Sequence, residues 1–389
     1  MPYWRLSGFY FFYFATLGVL VPYWGLYLQS IHFTPREIGS LLALLMLTRI
    51  VAPVLWGWFA DHREQRVQVI RVATLLSLIA FGGAFFGTSF AWLALVMLMF
   101  SFFWHASLPL VEVTTMNHLA RQPGAYGRVR LWGSIGFILS VIAMGPLIDM
   151  RGPWWVLPVL WLLVGGIWVY ALTLPDTQIR GRLNHPGPLL SVVRRTDVAA
   201  FLLACLLMQI SHGPYYTFYS IYLDAHGYSK TVIGTLWAFG VVCEIVVFVA
   251  MQRLLARIDL RRMLLVSFAL AGLRWLLIGF FPQNLTILVL AQSLHAATFG
   301  AFHATAIQMV HRFFTGRHQH RGQAIYGSAS FGIGGAIGSL YSGFVWSTMG
   351  ATTTFVIAAA AALAAFMVTL IFIRPRIESG VPAKTASNR

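Results

Sequence analysis

The chain has 389 residues, of which 58% are hydrophobic and 15% aromatic, while Asp, Glu, Lys and Arg together supply only 10%. Soluble domains keep about a quarter of their residues charged, so a water-soluble enzyme or binding module is excluded. The formal net charge of +16 would suggest nucleic acid in a soluble protein, but the basic residues occupy short gaps between apolar runs, where they act as topology signals and no nucleic-acid partner is expected.

The apolar runs are about twenty to twenty-five residues long, enough to cross a hydrocarbon core of about 30 Å as helices. In chain order they predict helices near 8–31, 37–60, 67–88, 91–117, 128–149 and 154–174, then near 198–223, 230–252, 262–281, 285–311, 322–347 and 352–373. The first run is too long for a signal-peptide core and lacks a small-residue cleavage pattern, so it stays as the first span. The longest polar gap, 175–197, contains Arg180, Arg182, Arg194 and Arg195 among Pro and Gly residues. It predicts a cytoplasmic linker between an N-terminal six-helix bundle (1–174) and a C-terminal one (198–374), with 375–389 as a disordered cytoplasmic tail. With both termini in the cytoplasm, only Arg36, Arg151 and Lys230 fall outside, and Arg49 and Arg274 fall within the membrane. The expected fold is an all-α membrane protein of twelve transmembrane helices in two pseudo-symmetric bundles. Cys205 and Cys243 both lie in apolar runs and form neither a disulfide framework nor a metal-ligand spacing, so no cofactor or metal is expected.

An internal repeat supports the division. Adding 195 to the numbering places Glu37-Ile38-Gly39-Ser40-Leu41 on Val232-Ile233-Gly234-Thr235-Leu236, Gly18 on Gly213, Leu26-Tyr27-Leu28 on Ile221-Tyr222-Leu223, and Gly127 on Gly322. Two parallel halves around a midplane site are the architecture of an alternating-access carrier. Under the same offset Arg49 falls on Glu244, so equivalent positions hold opposite charges.

Four ionisable residues lie deep in apolar runs: Arg49, Glu112, Glu244 and Arg274. Such residues cost several kcal/mol unless they face a cavity or a partner, which makes them functional candidates. Structural ion pairing between helices is the alternative, and Arg49 with Glu244 is the pair that best fits it. His105, His212, His295 and His303 add groups that titrate near neutral pH; the spacing of His295 and His303, two turns apart, does not suit a zinc site. Phe9-Tyr10-Phe11-Phe12-Tyr13 and Tyr215-Tyr216-Thr217-Phe218-Tyr219 put aromatic clusters in the first helix of each half, as cavity lining or as packing, with Tyr13, Tyr216 and Tyr219 the lining candidates. Gly332 to Gly338 is rich in glycine but follows no strand; small residues at this spacing serve close helix packing. No Walker motif occurs, so any transport would be secondary rather than ATP-driven.

Gly57-Trp58-Phe59-Ala60-Asp61-His62-Arg63-Glu64-Gln65-Arg66 resembles the signature of the major facilitator superfamily between its second and third helices, with Glu64 where that pattern has Gly. The resemblance implies a gating role for Gly57, Asp61, Arg63 and Arg66, and an Asp at a helix end can pair with Arg and cap a neighbouring helix. Tyr126-Gly127-Arg128-Val129-Arg130-Leu131-Trp132-Gly133-Ser134, with Glu112 eighteen residues before Arg130, is similar to the sugar-binding segment of the lactose permease branch. Glu244, Arg274 in Gly272-Leu273-Arg274-Trp275 and His295 in Ser293-Leu294-His295 match that branch's proton-coupling residues. Thr298 replaces its proton-carrying acid and Gln292 its lysine. An intramembrane Arg like Arg49 and a second histidine like His303 make the chain more similar to the bacterial 3-phenylpropionate transporter group.

The resemblance implies a bacterial inner-membrane, proton-coupled symporter that imports an aromatic carboxylate. Glu112, Arg130, Arg49, Tyr13, Tyr216 and Tyr219 would bind substrate, and Glu244, Arg274, His295 and His303 would couple the proton. Its partners would be a small molecule, a proton and membrane lipid, and it would act as a monomer. Arg130 and Glu112 would equally suit sugar hydroxyls. A sugar, oligosaccharide or nucleoside symporter, a drug or metabolite exporter, and a transport-dead sensor remain open at this point, whereas no nucleophile, base and orienter cluster favours an enzyme.

Overall fold

The computed structural model describes residues 2–63, 65–119, 125–175 and 190–374. Most of the expected linker and the whole expected tail lie outside these residues. The described residues form α1 (Tyr3–Ser30), α2 (Pro35–Arg63), α3 (Arg66–Gly82), α4 (Phe90–His118), α5 (Ala125–Arg151) and α6 (Val156–Thr173). Then follow α7 (Thr196–Ala225), α8 (Lys230–Arg257), α9 (Leu260–Phe280), α10 (Leu285–Phe313), α11 (319–349) and α12 (351–372).

The last two form one unbroken apolar stretch, Arg321–Phe372, of 52 residues. As a straight helix it would run about 80 Å, far beyond a bilayer. Gly350 divides it, with φ 84° and ψ 174°, a conformation that a side chain disfavours. Gly152, between α5 and α6, has nearly the same geometry, φ 86° and ψ 165°. The repeat continues at the first turn of each half: His32 (φ 68°) between α1 and α2 and Gly227 (φ 83°) between α7 and α8 are 195 residues apart.

Within the first six helices α1 packs on α5 and α6, α2 on α4, and α3 on α4 and α6; within the second six α7 packs on α11, α8 on α10, and α9 on α12. Lipid offers no hydrophobic drive between helices, so close approach must come from small residues. Gly18 of α1 meets α5, where a Cβ would stand 2.6 Å from the Phe137 carbonyl oxygen. Its repeat partner Gly213 meets α11, where a Cβ would stand 2.3 Å from the Gly338 carbonyl oxygen.

The two groups of six meet through α2 with α11, α5 with α8, and α1 with α7. Hydrogen bonds between them, among the described residues, all lie at the end of the bundle away from the chain termini. They link Tyr23 to Lys230, Arg36 to Ser347, and Asp149 to Lys230 and Thr231. That end is termed the far end below.

Gly213→Leu is expected to force α7 away from α11, at the 1–3 kcal/mol typical of overpacking, and to lower the unfolding temperature in detergent. Gly327→Ala, where an added Cβ meets nothing within 4 Å, is expected to leave it unchanged. Equal melting of both variants and the parent would contradict this account of the crossing.

Candidate functional site

The second six helices hold a buried polar knot around Arg274 of α9, which is fully buried. Its Nη2 donates to Gln292 Oε1 at 2.8 Å, and its Nη1 to Thr298 Oγ1 at 3.2 Å and His295 Nδ1 at 3.0 Å. Tyr215 donates to the same Gln292 oxygen at 3.1 Å. The guanidinium lies over the rings of Tyr215 and Trp275, 4.2 and 4.8 Å from their centroids. Among the described residues no carboxylate lies within 4.0 Å of it, so neutral acceptors and π faces hold the charge.

This knot fixes a tautomer. A guanidinium only donates, so His295 Nδ1 must be the accepting nitrogen and the ring proton sits on Nε2. That nitrogen lies 3.6 Å from Glu244 Oε2. Glu244 reaches it because Gly300 of α10 leaves room, a Cβ there standing 3.0 Å from Glu244 Cγ. Directly after His295, residues Ala296–Ala301 wind as a π-helix, and a second π-helical segment covers Ser328–Gly334 in α11. Such segments rotate side chains out of the α-helical register. They bring the rings of His295, Phe299 and His303 into one parallel column, with centroids 5.3 and 6.0 Å apart, and His303 Nδ1 lies 3.1 Å from the Tyr326 hydroxyl.

The first six helices supply Arg49, Glu112 and Arg130. Arg49 is solvent-accessible although Tyr13, Glu112, Tyr216 and Tyr326 surround it within electrostatic reach, which puts it on the wall of an internal cavity. Its guanidinium lies 4.7 Å from the centre of the Phe331 ring of α11, crossing between the halves. Arg130 covers Phe14 at 3.8 Å, and Glu112 lies within electrostatic reach of both Arg130 and Arg49. Arg130 also acts on Glu244 across the interface. Tyr13 stacks on Trp104 at 4.7 Å, and Thr48 joins His105 at 3.0 Å, tying α2 to α4 beside Arg49.

Arg49, Glu112, Arg130, Tyr13, Tyr216, Glu244 and His303 thus lie within electrostatic reach of one another in a connected group, with Arg274 and His295 next to Glu244. Two expectations need correction. Arg49 and Glu244 do not pair: Glu244 turns to the neutral His295, and among the described residues no interior Arg closes on a carboxylate within 4.0 Å. Tyr219 is fully buried against Tyr215 and Trp237 and does not reach the cavity. Of the signature between α2 and α3, Gly57 and Arg63 lie in the last turns of α2, with Arg63 over Phe59 at 5.4 Å, and Arg66 opens α3. The Asp61 side chain lies outside the described residues. Phe331 carried no sequence signal, because only the second π-helical segment turns it towards Arg49, and Tyr326, one turn before that segment, carried none for its contact with His303.

Residues 3–357 match the sequence profile of the MFS_1 like family. A probable 3-phenylpropionic acid transporter of Escherichia coli (strain K12) is 32% identical over 380 residues, 96% of this chain and 97% of that one. The maltose permease of Geobacillus stearothermophilus is 26% identical over 344 residues, 87% of this chain and 86% of that one. The crystal structure of the nucleoside transporter NupG shares the fold, with a TM-score of 0.83 at 18% identity over 96% of this chain and 99% of that chain. With the profile matched along most of its length and a 32% identical relative aligned over nearly all of both chains, this chain belongs to the MFS_1 like family of transporters.

Proposed function

We propose that this transporter imports an aromatic monocarboxylate together with a proton, by alternating access of the interior cavity. The observation that carries the proposal is the balance of interior charge. Three arginines (Arg49, Arg130, Arg274) face two glutamates (Glu112, Glu244), leaving one positive charge uncompensated (3 − 2 = +1). Arg49 and Arg130 each stack on a ring and neither closes an ion pair within 4.0 Å among the described residues; Arg49, which reaches across to Phe331 of the other half, is taken as the carboxylate's first partner. A monoanion would neutralise the space, through charge-assisted bonds to a planar guanidinium. Tyr13, Tyr216 and Phe331 offer faces for an aromatic ring. A relative described as a probable 3-phenylpropionic acid transporter supports the same substrate class. Maltose permease and a nucleoside transporter are also similar, but a neutral sugar or nucleoside would leave the extra charge unbalanced.

The basic turns at the end bearing the termini suit a cytoplasmic face in a bacterial inner membrane. The hydrogen bonds at the far end then seal the outside, and this state faces the cytoplasm. Glu244 is the proton carrier in this proposal. His295 presents an N–H to it, and Arg130 acts on it from the other half, so rocking of the halves changes the field at the carboxylate. His303, bonded to Tyr326 at the other end of the column, would support the coupling site by position and not as a proton path, and Asp61 with Arg63 and Arg66 would gate the cytoplasmic side.

In proteoliposomes the parent should accumulate labelled 3-phenylpropionate or cinnamate, and neither maltose nor uridine, when an inward proton gradient is imposed. Accumulation of the neutral solutes instead would overturn the substrate class. Arg49→Gln should weaken carboxylate binding about tenfold or more, the worth of a lost charge-assisted hydrogen bond; an unchanged dissociation constant would move the carboxylate site to Arg130. Glu244→Gln should abolish accumulation under a pH gradient yet retain exchange of labelled for unlabelled substrate, since exchange requires no net proton release. Gradient-driven accumulation by that variant would remove Glu244 as the carrier.

A further inference from the structure

The first turn of a helix leaves its N–H groups without intrahelical acceptors. In α8, Ser229 Oγ takes the Val232 N–H at 3.3 Å. The preceding two are taken by a residue of the other half. Lys230 N–H donates to Asp149 Oδ1 at 2.9 Å, Thr231 N–H to Oδ2 at 2.9 Å, and the Thr231 hydroxyl to Oδ2 at 2.6 Å. Asp149 sits one turn from the end of α5, so a carboxylate of one half caps the positive end of a helix in the other. Tyr23 approaches the same turn from α1, its single hydroxyl proton directed to the Val141 carbonyl at 2.7 Å with the Lys230 carbonyl 3.4 Å away. Gly145 makes the approach possible, since a Cβ there would stand 2.5 Å from the Lys230 carbonyl oxygen. The Lys230 ammonium is engaged elsewhere, 2.6 Å from Asp224. Asp149 therefore holds the backbone and the Thr231 hydroxyl, not a lysine side chain.

The repeat supplies an internal comparison. Gly152 and Gly350 are equivalent and 198 residues apart (350 − 152), so Ser347 stands where Asp149 stands (149 + 198). At the start of α2, Pro35 has no N–H, and Thr34 with Glu37 form a local capping box. What crosses between the halves there is one side-chain hydrogen bond, Arg36 Nε to Ser347 Oγ at 2.9 Å, with Arg36 over Phe344 at 4.9 Å. One side of the far end is thus fastened by a carboxylate on a helix terminus through three bonds, and the equivalent side by one bond to a hydroxyl.

Resting on the alternating-access proposal, we propose that Asp149 is a positioning residue of the transport cycle: its carboxylate latches the first turn of α8 to α5 and sets how often the far end opens. The latch touches neither the cavity nor Glu244. It must break and reform in each cycle, because the N–H groups it caps belong to the half that moves.

The test reads far-end opening without any substrate, so it does not depend on which solute is carried. Leu26 is buried beside the latch, and Leu26→Cys in lipid nanodiscs would report opening through its rate of labelling by a membrane-impermeant maleimide, against the parent as a control for Cys205 and Cys243. Adding Asp149→Ala should raise that rate roughly tenfold by population shift. Asp149→Glu should rescue part of the effect, and Arg36→Gln should raise the rate less than Asp149→Ala does. Thr231→Val, which removes one bond of the three, should give a smaller rise and decides the matter if Asp149→Ala is not recovered folded. Unchanged labelling in the recovered Asp149 or Thr231 variants, or an equal effect of Arg36→Gln, overturns the proposal.

Discussion

A charge in the hydrocarbon interior costs several kcal/mol unless it meets water or a partner, and each interior ionisable group of this chain meets that cost differently. Arg274 is wrapped by Gln292, Thr298, His295 and two rings, with no counter-ion. Glu244 rests against the imidazole that Arg274 orients. Arg49 stays in contact with solvent and a ring. The most buried cation is therefore the one most completely bonded, and the least compensated one is the one in the cavity.

The duplicated backbone carries unequal chemistry. The halves agree where geometry demands it: in the turns at His32 and Gly227, the breaks at Gly152 and Gly350, and the crossings at Gly18 and Gly213. They disagree where charge matters. Arg49 stands opposite Glu244 in the repeat, and Asp149 opposite Ser347. A symmetric scaffold allows two halves to rock about a shared site, while the charges differ between its two sides.

Relatives that carry a sugar or a nucleoside in their names share this fold. Fold alone therefore does not select the solute; a handful of interior charges and rings must do so. In the function proposed above, Arg49 with Tyr13, Tyr216 and Phe331 carries that choice.

The twelve spans, the near-constant repeat offset and the interior charges were legible in the sequence because hydrophobic length and charge placement are properties of the linear chain. Even the division of the last apolar stretch was marked there, by Gly350 among polar residues. The partners of those charges were not legible. Glu244 meeting His295 instead of Arg49, and Phe331 facing Arg49, depend on helix rotation and on the π-helical segments after His295 and Gly327. The place of Asp149 was not legible, since nothing in its neighbours announces an unsatisfied helix start some eighty residues away. Which groups are embedded is written in hydropathy, whereas which groups touch is decided by close packing between helices, where a turn of one helix selects the partner.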